Sequence, residues 1–289
     1  MYHIYTIQNL KTNLHFLHML CMFWIVPWFC VVHAPRTPMH CTWKSPSQCI
    51  KLFKAVHHTN TMVNILFDTN GLHIMSMDSS KTSLVRLELT PHSFESFECT
   101  APLTLGLYTE SLVAILQKAK TSQLTWKAST DAVLSVLLAH DDQTTEFQIR
   151  AIDIDEDQLD IPEMDDDMAL QVEAPVLHEW MDKILMTKAD VQFQITPQQF
   201  QCSSTAVQFG TIFHREPLNG KRIDALAVRT PVEITLSFQS AKSMLVFSKC
   251  GDICIVGFSN AQPSRLKVNL GNGSHLCLFV APKIVDDAE

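Results

Sequence analysis

Apolar side chains recur with the period of an α-helix along residues 46–58. Cys49, Leu52 and Val56 fall on one face of such a helix, while Lys51 and Lys54 point elsewhere. This spacing predicts a short amphipathic helix with a basic outer face. Further helices are predicted at residues 110–120 and in the segment APVLHEWMDKILM at residues 174–186.

Apolar runs of strand length lie between these helices. Residues 62–67 and 72–77 flank the sequence Asp68-Thr69-Asn70-Gly71, which predicts a β-hairpin closed at an Asn-Gly corner. Residues 84–89 alternate between an apolar face and a face that carries Arg86 and Glu88, which indicates another strand. Strands are also predicted at residues 124–126 and 133–138.

The second half of the chain repeats the order of the first. When the sequence is shifted so that Leu105 falls on Ile234, residue type agrees at most neighbouring apolar positions. Pro46 and Pro175 then coincide, each just before a predicted helix. The predicted fold class is therefore α+β, with two similar domains of mostly antiparallel sheet and two short helices in each.

An acidic connector separates the two halves. Residues 151–168 (AIDIDEDQLDIPEMDDDM) contain nine carboxylates and neither Lys nor Arg. A calcium loop is excluded because Gln158 stands where its turn needs Gly and Met164 where a Glu ligand belongs. Regular aliphatic positions indicate a strap held against both domains; they are Ile152, Ile154, Leu159, Ile161 and Pro162.

Charge is distributed unevenly along the chain. The 289 residues have a formal net charge of −8, so without the connector's nine carboxylates the protein is nearly neutral and nucleic acid is not excluded as a partner. A solvated helix face commonly carries cations, but four helices that all do so favour contact with phosphates. The cations are Lys51, Lys54, His57, His58, Lys118, Lys120, Lys183, Lys188, Lys242 and Lys249.

The sequence contains no motif of a catalytic or nucleotide-binding site. GxxxxGK, GxSxG and HExxH are all missing, and only eight glycines are present. Cys41 and Cys49 precede His57 and His58 at spacings that match no common zinc finger. Nine scattered cysteines without a CxxC pair favour a reduced, intracellular protein. We therefore expect no enzyme activity, no metal and no cofactor.

The N-terminal segment indicates a different class of protein. Residues 16–32 form an apolar run interrupted by His18 and Pro27, and Val32-His33-Ala34 loosely resembles a signal-peptidase site. The run is shorter than the roughly 20 residues of a membrane span. Three interpretations remain open: a targeting segment, a hydrophobic extension of unknown use, or translation from upstream of a natural start at Met39.

Three stretches, in the right order, resemble proliferating cell nuclear antigen, the sliding clamp family of DNA replication. They are GLHIMSMDSSKTSLVRLEL (71–89), IDIDEDQLDIPE (152–163) and LFVAPKI (278–284). The resemblance extends from about Met39 to the C terminus. It implies clamp domains at residues 39–150 and 169–289, joined by the connector at 151–168, and leaves residues 1–38 as a hydrophobic extension of doubtful authenticity.

The resemblance also implies a ring. Three copies would close head to tail through edge strands at residues 144–150 and 207–214, with sheets outside and the four short helices inside around duplex DNA. Such a ring slides along DNA without reading its sequence. The candidate DNA-binding residues are Lys51, Lys54, His57, Lys118, Lys120, Lys183 and Lys188.

Partner proteins of this family dock a short peptide with aromatic anchors into a pocket under the connector. Carried over by motif, the pocket comprises Met77, Lys81, Thr82, Leu159, Ile161, Pro162, Pro263, Phe279, Ala281 and Pro282. Lys81 and Thr82 replace the usual His-Val, which predicts a changed partner preference. Thr196-Pro197-Gln198-Gln199 replaces a turn that often carries a modifiable Lys. Ile50, Ala114, Gln117 and Val246 replace usually basic residues.

The expected function is that of a non-enzymatic processivity factor. Its expected partners are duplex DNA, DNA polymerase, other replication and repair factors, a clamp loader and two further copies of itself, with no membrane. The expected location is the nucleus, or a viral replication compartment for a virus-encoded clamp. Two alternatives remain open: a secreted or membrane-anchored structural protein, indicated by residues 16–34, and a clamp-like checkpoint subunit of a mixed ring.

Overall fold

The computed structural model describes residues 38–129, 131–155, 164–218 and 220–283. The N-terminal apolar run and the middle of the connector, with Leu159, Ile161 and Pro162, lie outside these residues. The described helices are α1 (Pro46–Thr59), α2 (Thr109–Leu116), α3 (Ala174–Ile184) and α4 (Phe238–Ser248), with 3₁₀ turns at Pro91–Ser93 and Leu185–Thr187.

Eighteen β-strands lie in the described residues. Those of the first half are β1 (Met39–Trp43), β2 (Met62–Asp68), β3 (Gly71–Met77), β4 (Ser83–Leu89), β5 (Phe94–Cys99), β6 (Leu103–Tyr108), β7 (Gln123–Ser129), β8 (Val133–His140) and β9 (Gln143–Arg150). Those of the second half are β10 (Met168–Glu173), β11 (Val191–Ile195), β12 (Gln199–Ala206), β13 (Gly210–Pro217), β14 (Ile223–Val228), β15 (Val232–Leu236), β16 (Ile253–Phe258), β17 (Ser264–Gly271) and β18 (Ser274–Val280).

The two halves have the same order of elements. In each, one strand precedes a helix, five strands follow, and a second helix leads into three more strands. Within the described residues the sheets repeat in the same way, because β5-β1-β7-β8-β9 corresponds to β14-β10-β16-β17-β18 and β6-β2-β3-β4 to β15-β11-β12-β13. The predicted α+β fold of two similar domains is confirmed.

One strand pair joins the halves. Strand β4 of the first half and β18 of the second are antiparallel neighbours, with Val85 opposite Leu278 and Arg86 opposite Cys277. This pairing fuses four strands of one half and five of the other into a nine-stranded sheet. By contrast, β9 and β13, the repeat counterparts of β18 and β4, are edge strands in the described structure.

Local sequence explains where the first helix and hairpin begin and turn. Helix α1 starts after Ser45, whose hydroxyl accepts a hydrogen bond from the backbone N–H of Gln48 at 3.2 Å. The predicted hairpin is β2–β3, in which the Asp68 carboxylate accepts the backbone N–H groups of Asn70 and Gly71. Gly71 has a φ of 136°, which explains why glycine stands at this corner.

Two predicted elements have different limits in the structure. Helix α2 ends at Leu116 rather than at residue 120, because the next N–H groups bond in the tighter 3₁₀ pattern, from Lys118 to Ile115 and from Ala119 to Leu116. The strand predicted at residues 207–214 begins at Gly210, since residues 207–209 form the turn after β12.

A single hydrophobic core runs through both halves of the described structure. In the first half Trp43 and Phe53 pack against Trp126, at ring-centroid distances of 5.2 and 5.3 Å. In the second half Phe193 packs on Phe258 at 5.2 Å. These aromatic side chains lie under the helices and hold them against the sheets.

The chain makes an equivalent backbone hydrogen bond as it leaves each half. After β9, the N–H of Ile152 bonds to the carbonyl of Gly106 in β6 at 2.8 Å, and after β18 the N–H of Lys283 bonds to the carbonyl of Thr235 in β15 at 2.7 Å. The start of the connector is therefore the repeat counterpart of the C-terminal tail. Each covers the outer edge of its own four-stranded block.

We predict that Gly106→Ala detaches the start of the connector. A Cβ at this position would lie 2.3 Å from the carbonyl oxygen of Ile152 and 2.9 Å from Ile154 Cγ1. We expect the free energy of unfolding in urea to fall by about 1–3 kcal/mol. Thr104→Ala, at an exposed position of the same strand, is the matched control; equal stability of the two variants would contradict the prediction.

Candidate functional site

The four helices lie together: α1 contacts α2 and α4, and α3 contacts α4. Lys51 and Lys54 are exposed on α1, and Lys242 and Lys249 are exposed on and after α4. Lys242 is close enough to His58 to lower the pKa of that imidazole, although partial burial of the ring is the larger cause. Cations of two helices from different halves therefore share one surface.

An open cleft of about 450 Å³ lies where α1 meets the start of α3 and the end of α4. Lys51 and Lys249 line it together with His178 and Asp252. The two lysines place positive charge at this contact between halves, which suits an anionic ligand such as a phosphate backbone. Lys249 stands out in the sequence as a helix-end cation, but it is not among the DNA-binding residues predicted from the sequence.

The other candidate cations have different surroundings. His57 is half-buried, and its Nδ1 is 2.7 Å from the hydroxyl of Thr109 at the start of α2, so this ring ties two helices together. Lys118 and Lys120 are exposed in the turn after α2. Lys188 is exposed after the 3₁₀ turn that follows α3, with a left-handed backbone.

Lys183 is the candidate whose charge is compensated locally. Its Nζ donates to Glu179 Oε1 at 2.6 Å, one helical turn away. The other oxygen of Glu179 accepts from Arg222 at 2.6 Å, and Arg222 also reaches Glu216 at 3.0 Å. Helix α3 thus presents a network of paired charges, whereas α1 presents lysines for which no ion pair occurs in the described residues.

A second surface lies on the opposite, outer side of the nine-stranded sheet. Leu84, Cys277 and Phe279 form a small buried cluster on β4 and β18, against which Met77 and Met164 pack. The predicted pocket residues Met77 and Phe279 are therefore neighbours. Leu84 and Cys277 are not among the pocket residues predicted from the sequence. The sequence does contain a signal for Leu84, because it is an apolar residue on the face of β4 that also holds the charged residues Arg86 and Glu88.

The rim of this apolar cluster is a rigid turn. The Asp78 carboxylate accepts hydrogen bonds from the N–H groups of Thr82 and Ser83, both at 2.8 Å. Lys81 is exposed at the tip with a φ of 56°. The carbonyl of Thr82 accepts from the N–H of Ala281 at 2.9 Å, so these predicted residues also meet.

The remaining predicted pocket residues divide into two groups. Pro282 is half-exposed beside Ala281, and Pro263 is exposed just before Ser264, the partner of Val280. Leu159, Ile161 and Pro162 lie outside the described residues, and their part in the pocket stays a prediction.

The C-terminal end of the connector is fixed to the second half by three consecutive carboxylates. Asp165 pairs with Arg229, and the buried Asp166 pairs with Arg265. Burial raises the pKa of Asp166, although Arg265 opposes the shift. A Cβ at Gly257 would lie 2.3 Å from Asp166 Oδ1, so only glycine leaves room for this contact.

Asp167 completes this attachment. Its carboxylate accepts from the N–H of Asn260 and from the hydroxyls of Thr230 and Ser259, and these hydrogen bonds lower the pKa of Asp167. Three of the connector's carboxylates are therefore engaged within the chain. The second half therefore compensates or hydrogen-bonds the charges of these three carboxylates.

The part of the chain that the structure describes contains neither a cluster of metal-ligating side chains nor a helix that could span a membrane. It holds no group of three or more His, Cys, Asp or Glu side chains placed to bind a metal ion. Cys41 and Cys49 are buried in the core, and burial raises the pKa of both thiols. No helix among the described residues is long and apolar enough to span a membrane.

Comparison with known proteins gives a consistent family. Residues 41–159 match the family model "Proliferating cell nuclear antigen, N-terminal domain". The chain is 25% identical over 236 residues to a "DNA polymerase sliding clamp" of Methanobrevibacter smithii, covering 81% of this chain and 93% of that protein. It is 24% identical over 232 residues to a "Proliferating cell nuclear antigen" of Chaetomium thermophilum, covering 76% and 89%.

A solved structure with a similar fold carries the same family name. The crystal structure of proliferating cellular nuclear antigen from Entamoeba histolytica superposes with a TM-score of 0.77 at 17% identity, covering 86% of this chain and all of that one. Sequence and fold therefore agree with the motifs at residues 71–89, 152–163 and 278–284. In sequence and in fold, the chain matches a divergent sliding clamp of the proliferating cell nuclear antigen type.

Proposed function

We propose that this sliding clamp works as a closed homotrimer that encircles duplex DNA and tethers DNA polymerase to it, with no catalytic activity of its own. The observation that carries the proposal is the repeat of its sheets. The pair β4–β18 joins two similar halves, while their counterparts β13 and β9 are edges in the described structure. Joining β9 of one copy to β13 of the next repeats the junction already present in the chain.

The side chains on these two edges support such a junction. Phe147 on β9 and Ile212 on β13 are half-buried and pack at the margin of the core. Each presents apolar surface toward the position that a neighbouring strand would occupy. A second copy would cover both and satisfy the free backbone groups of both edges. Three copies, the number that the family resemblance implies, would align six similar halves.

The cations on the helices support DNA binding inside such a ring. Contacts to phosphates hold DNA without reading bases, and each neutralised phosphate changes the slope of log affinity against log salt by about −0.9. A ring needs few such contacts, because closure itself prevents escape. The lysines of α1 and α4 carry most of this role in our proposal, and Lys183 little, because Glu179 neutralises it.

The apolar cluster under the connector supports peptide docking. Exposed Lys81 and the cluster of Met77, Leu84 and Phe279 combine a charged rim with an apolar floor. We assign this surface to peptides of DNA polymerase, other replication and repair factors, and a clamp loader. The site of action is then the nucleus, or a viral replication compartment for a virus-encoded clamp.

Two other interpretations have weaker support. A secreted or membrane-anchored protein rests on residues 16–34, which lie outside the described residues. A checkpoint subunit of a mixed ring would need edges that fit a different chain better than a copy of this one.

We predict that Phe147→Asp breaks the ring. A carboxylate opposite the apolar Ile212 would lose its hydration without gaining a partner. Light scattering at micromolar concentration should give three times 32.7 kDa for the unaltered protein and 32.7 kDa for the variant. Leu226→Asp, at a 54% exposed position on the unrelated edge strand β14, should leave the trimer intact. A monomeric unaltered protein would refute the ring.

We predict unequal roles for two lysines of the helix layer. Lys51→Ala should reduce the magnitude of the salt slope of duplex binding by about 0.9 for each phosphate that this lysine neutralises. Lys183→Ala should change the slope much less, because the ion pair with Glu179 already compensates its charge. Fluorescence anisotropy at several salt concentrations measures both, and the reverse order would contradict the assignment.

We predict that Met77→Glu uncouples polymerase from an intact ring. A carboxylate beside Leu84 and Phe279 would make the apolar floor unfavourable for an aromatic anchor. Polymerase stimulation on primed DNA should fall at least about tenfold while the trimer persists. Leu66→Glu, on β2 at a 37% exposed position, is the control. Full stimulation by the Met77 variant would remove the pocket assignment.

A further inference from the structure

The two free edges carry an exposed carboxylate and a guanidinium on their outer faces, Glu146 on β9 and Arg215 on β13. On β13, the guanidinium of Arg215 lies 4.6 Å above the ring of Phe213, and its Nε donates to Gln201 Oε1 at 2.6 Å. No carboxylate among the described residues forms an ion pair with Arg215. The stacking and the hydrogen bond therefore hold a cation at the sheet edge without an anionic partner.

This cation is part of a row of hydrogen bonds across the four-stranded block. Gln201 Nε2 donates to Gln194 Oε1 at 2.7 Å, and Gln194 Nε2 donates to Glu233 Oε1 at 3.1 Å. The row runs from β15 through β11 and β12 to β13 and stops at the free edge. It restricts where the guanidinium can lie and so prepares it for a partner beyond the edge.

On β9, Glu146 is exposed on the matching outer face. Hydrogen bonds from Gln148 and Ser135 lower the pKa of Glu146, and the nearby Lys127 acts in the same direction. The carboxylate is therefore charged at neutral pH. No ion pair within 4.0 Å joins it to a cation of the described residues.

The register between copies follows from the register within the chain. Phe147 corresponds to Leu278, because their cross-strand partners Val136 and Leu266 occupy equivalent places in β8 and β17. The same comparison of cross-strand partners in the four-stranded blocks, between β12–β13 and β3–β4, shows that Ile212 corresponds to Val85.

The junction within the chain pairs Leu278 with Val85 and, one residue along, Cys277 with Arg86. The equivalent pairs between copies are Phe147 with Ile212 and Glu146 with Phe213. Glu146 would then lie directly opposite the ring over which the Arg215 guanidinium is stacked. Arg215 is a diagonal neighbour of Glu146 in this register, within reach of a long side chain.

We propose that Glu146 of one copy and Arg215 of the next form an ion pair at every junction, and that this pair makes the chain select copies of itself. The inference rests on the proposed ring and adds its register and its specificity. A clamp chain with a cation in place of Glu146, or an anion in place of Arg215, would meet like charge at the junction. Like-charge contact suppresses the wrong partner more than the matched pair strengthens the right one.

Exchanging the charges of Glu146 and Arg215 tests the proposed ion pair. In 0.1 M salt, E146R or R215E alone should raise the protein concentration at which half of the chains are in rings by about tenfold or more, because each ring has three altered junctions. The double variant E146R/R215E should recover rings at nearly the original concentration. Analytical ultracentrifugation over a concentration series measures all four proteins.

The control is E98R, which makes the same charge change on β5, the far edge of the same sheet. It should leave assembly unchanged, and 0.5 M salt should reduce the defects of the two single variants. A double variant no better than the single ones overturns the ion pair while leaving the ring in place. Failure of the unaltered protein to form rings overturns the proposed function itself.

Discussion

The backbone groups at the edge of a β-sheet must find hydrogen-bond partners, and this constraint organises the molecule. Within the chain, β4 and β18 satisfy it by pairing across the two halves. The outer edges β6 and β15 bond to the start of the connector and to the C-terminal tail. Strands β9 and β13 have the same geometry but no such partner in the described residues. A repeat that satisfies one junction internally and leaves its counterpart open is suited to assembly with copies of itself.

Similar backbones carry different side chains at the internal junction and at its open counterpart. Beside the internal junction, Met77 and Leu84 face each other across β3 and β4 and help to form the apolar cluster. The corresponding pair in the second half is Thr205 and Thr211, whose hydroxyls lie 3.0 Å apart. An apolar cluster therefore lies beside the internal junction, whereas two hydroxyls occupy the equivalent place in the second half. The repeat supplies the scaffold, and substitution at a few outward positions makes the two surfaces differ.

Charge is separated by the same architecture. The helices of both halves bring exposed lysines to one surface, and the C-terminal end of the connector, with Met164, lies on the opposite side of the sheets. The carboxylates of Asp165 and Asp166 are bound by Arg229 and Arg265, so ion pairs hold this end of the connector to the second half. Some charged residues that look unpaired in the sequence thus form ion pairs within the chain. The same holds for Lys183, which Glu179 compensates.

The sequence alone determined the local elements and the family resemblance. Periods of 3.6 and 2 residues located the first helix and the strands of the Asn-Gly hairpin, because these patterns depend only on neighbouring residues. The repeat and the motifs at residues 71–89 and 278–284 led to the clamp fold. Only the tertiary structure decided that Leu84 and Cys277 join the apolar cluster, and that Lys183 is paired whereas Lys51 has no ion pair in the described residues. Those contacts join residues from separate strands and helices, so no local pattern specifies them, and packing and electrostatics select them only when the chain folds.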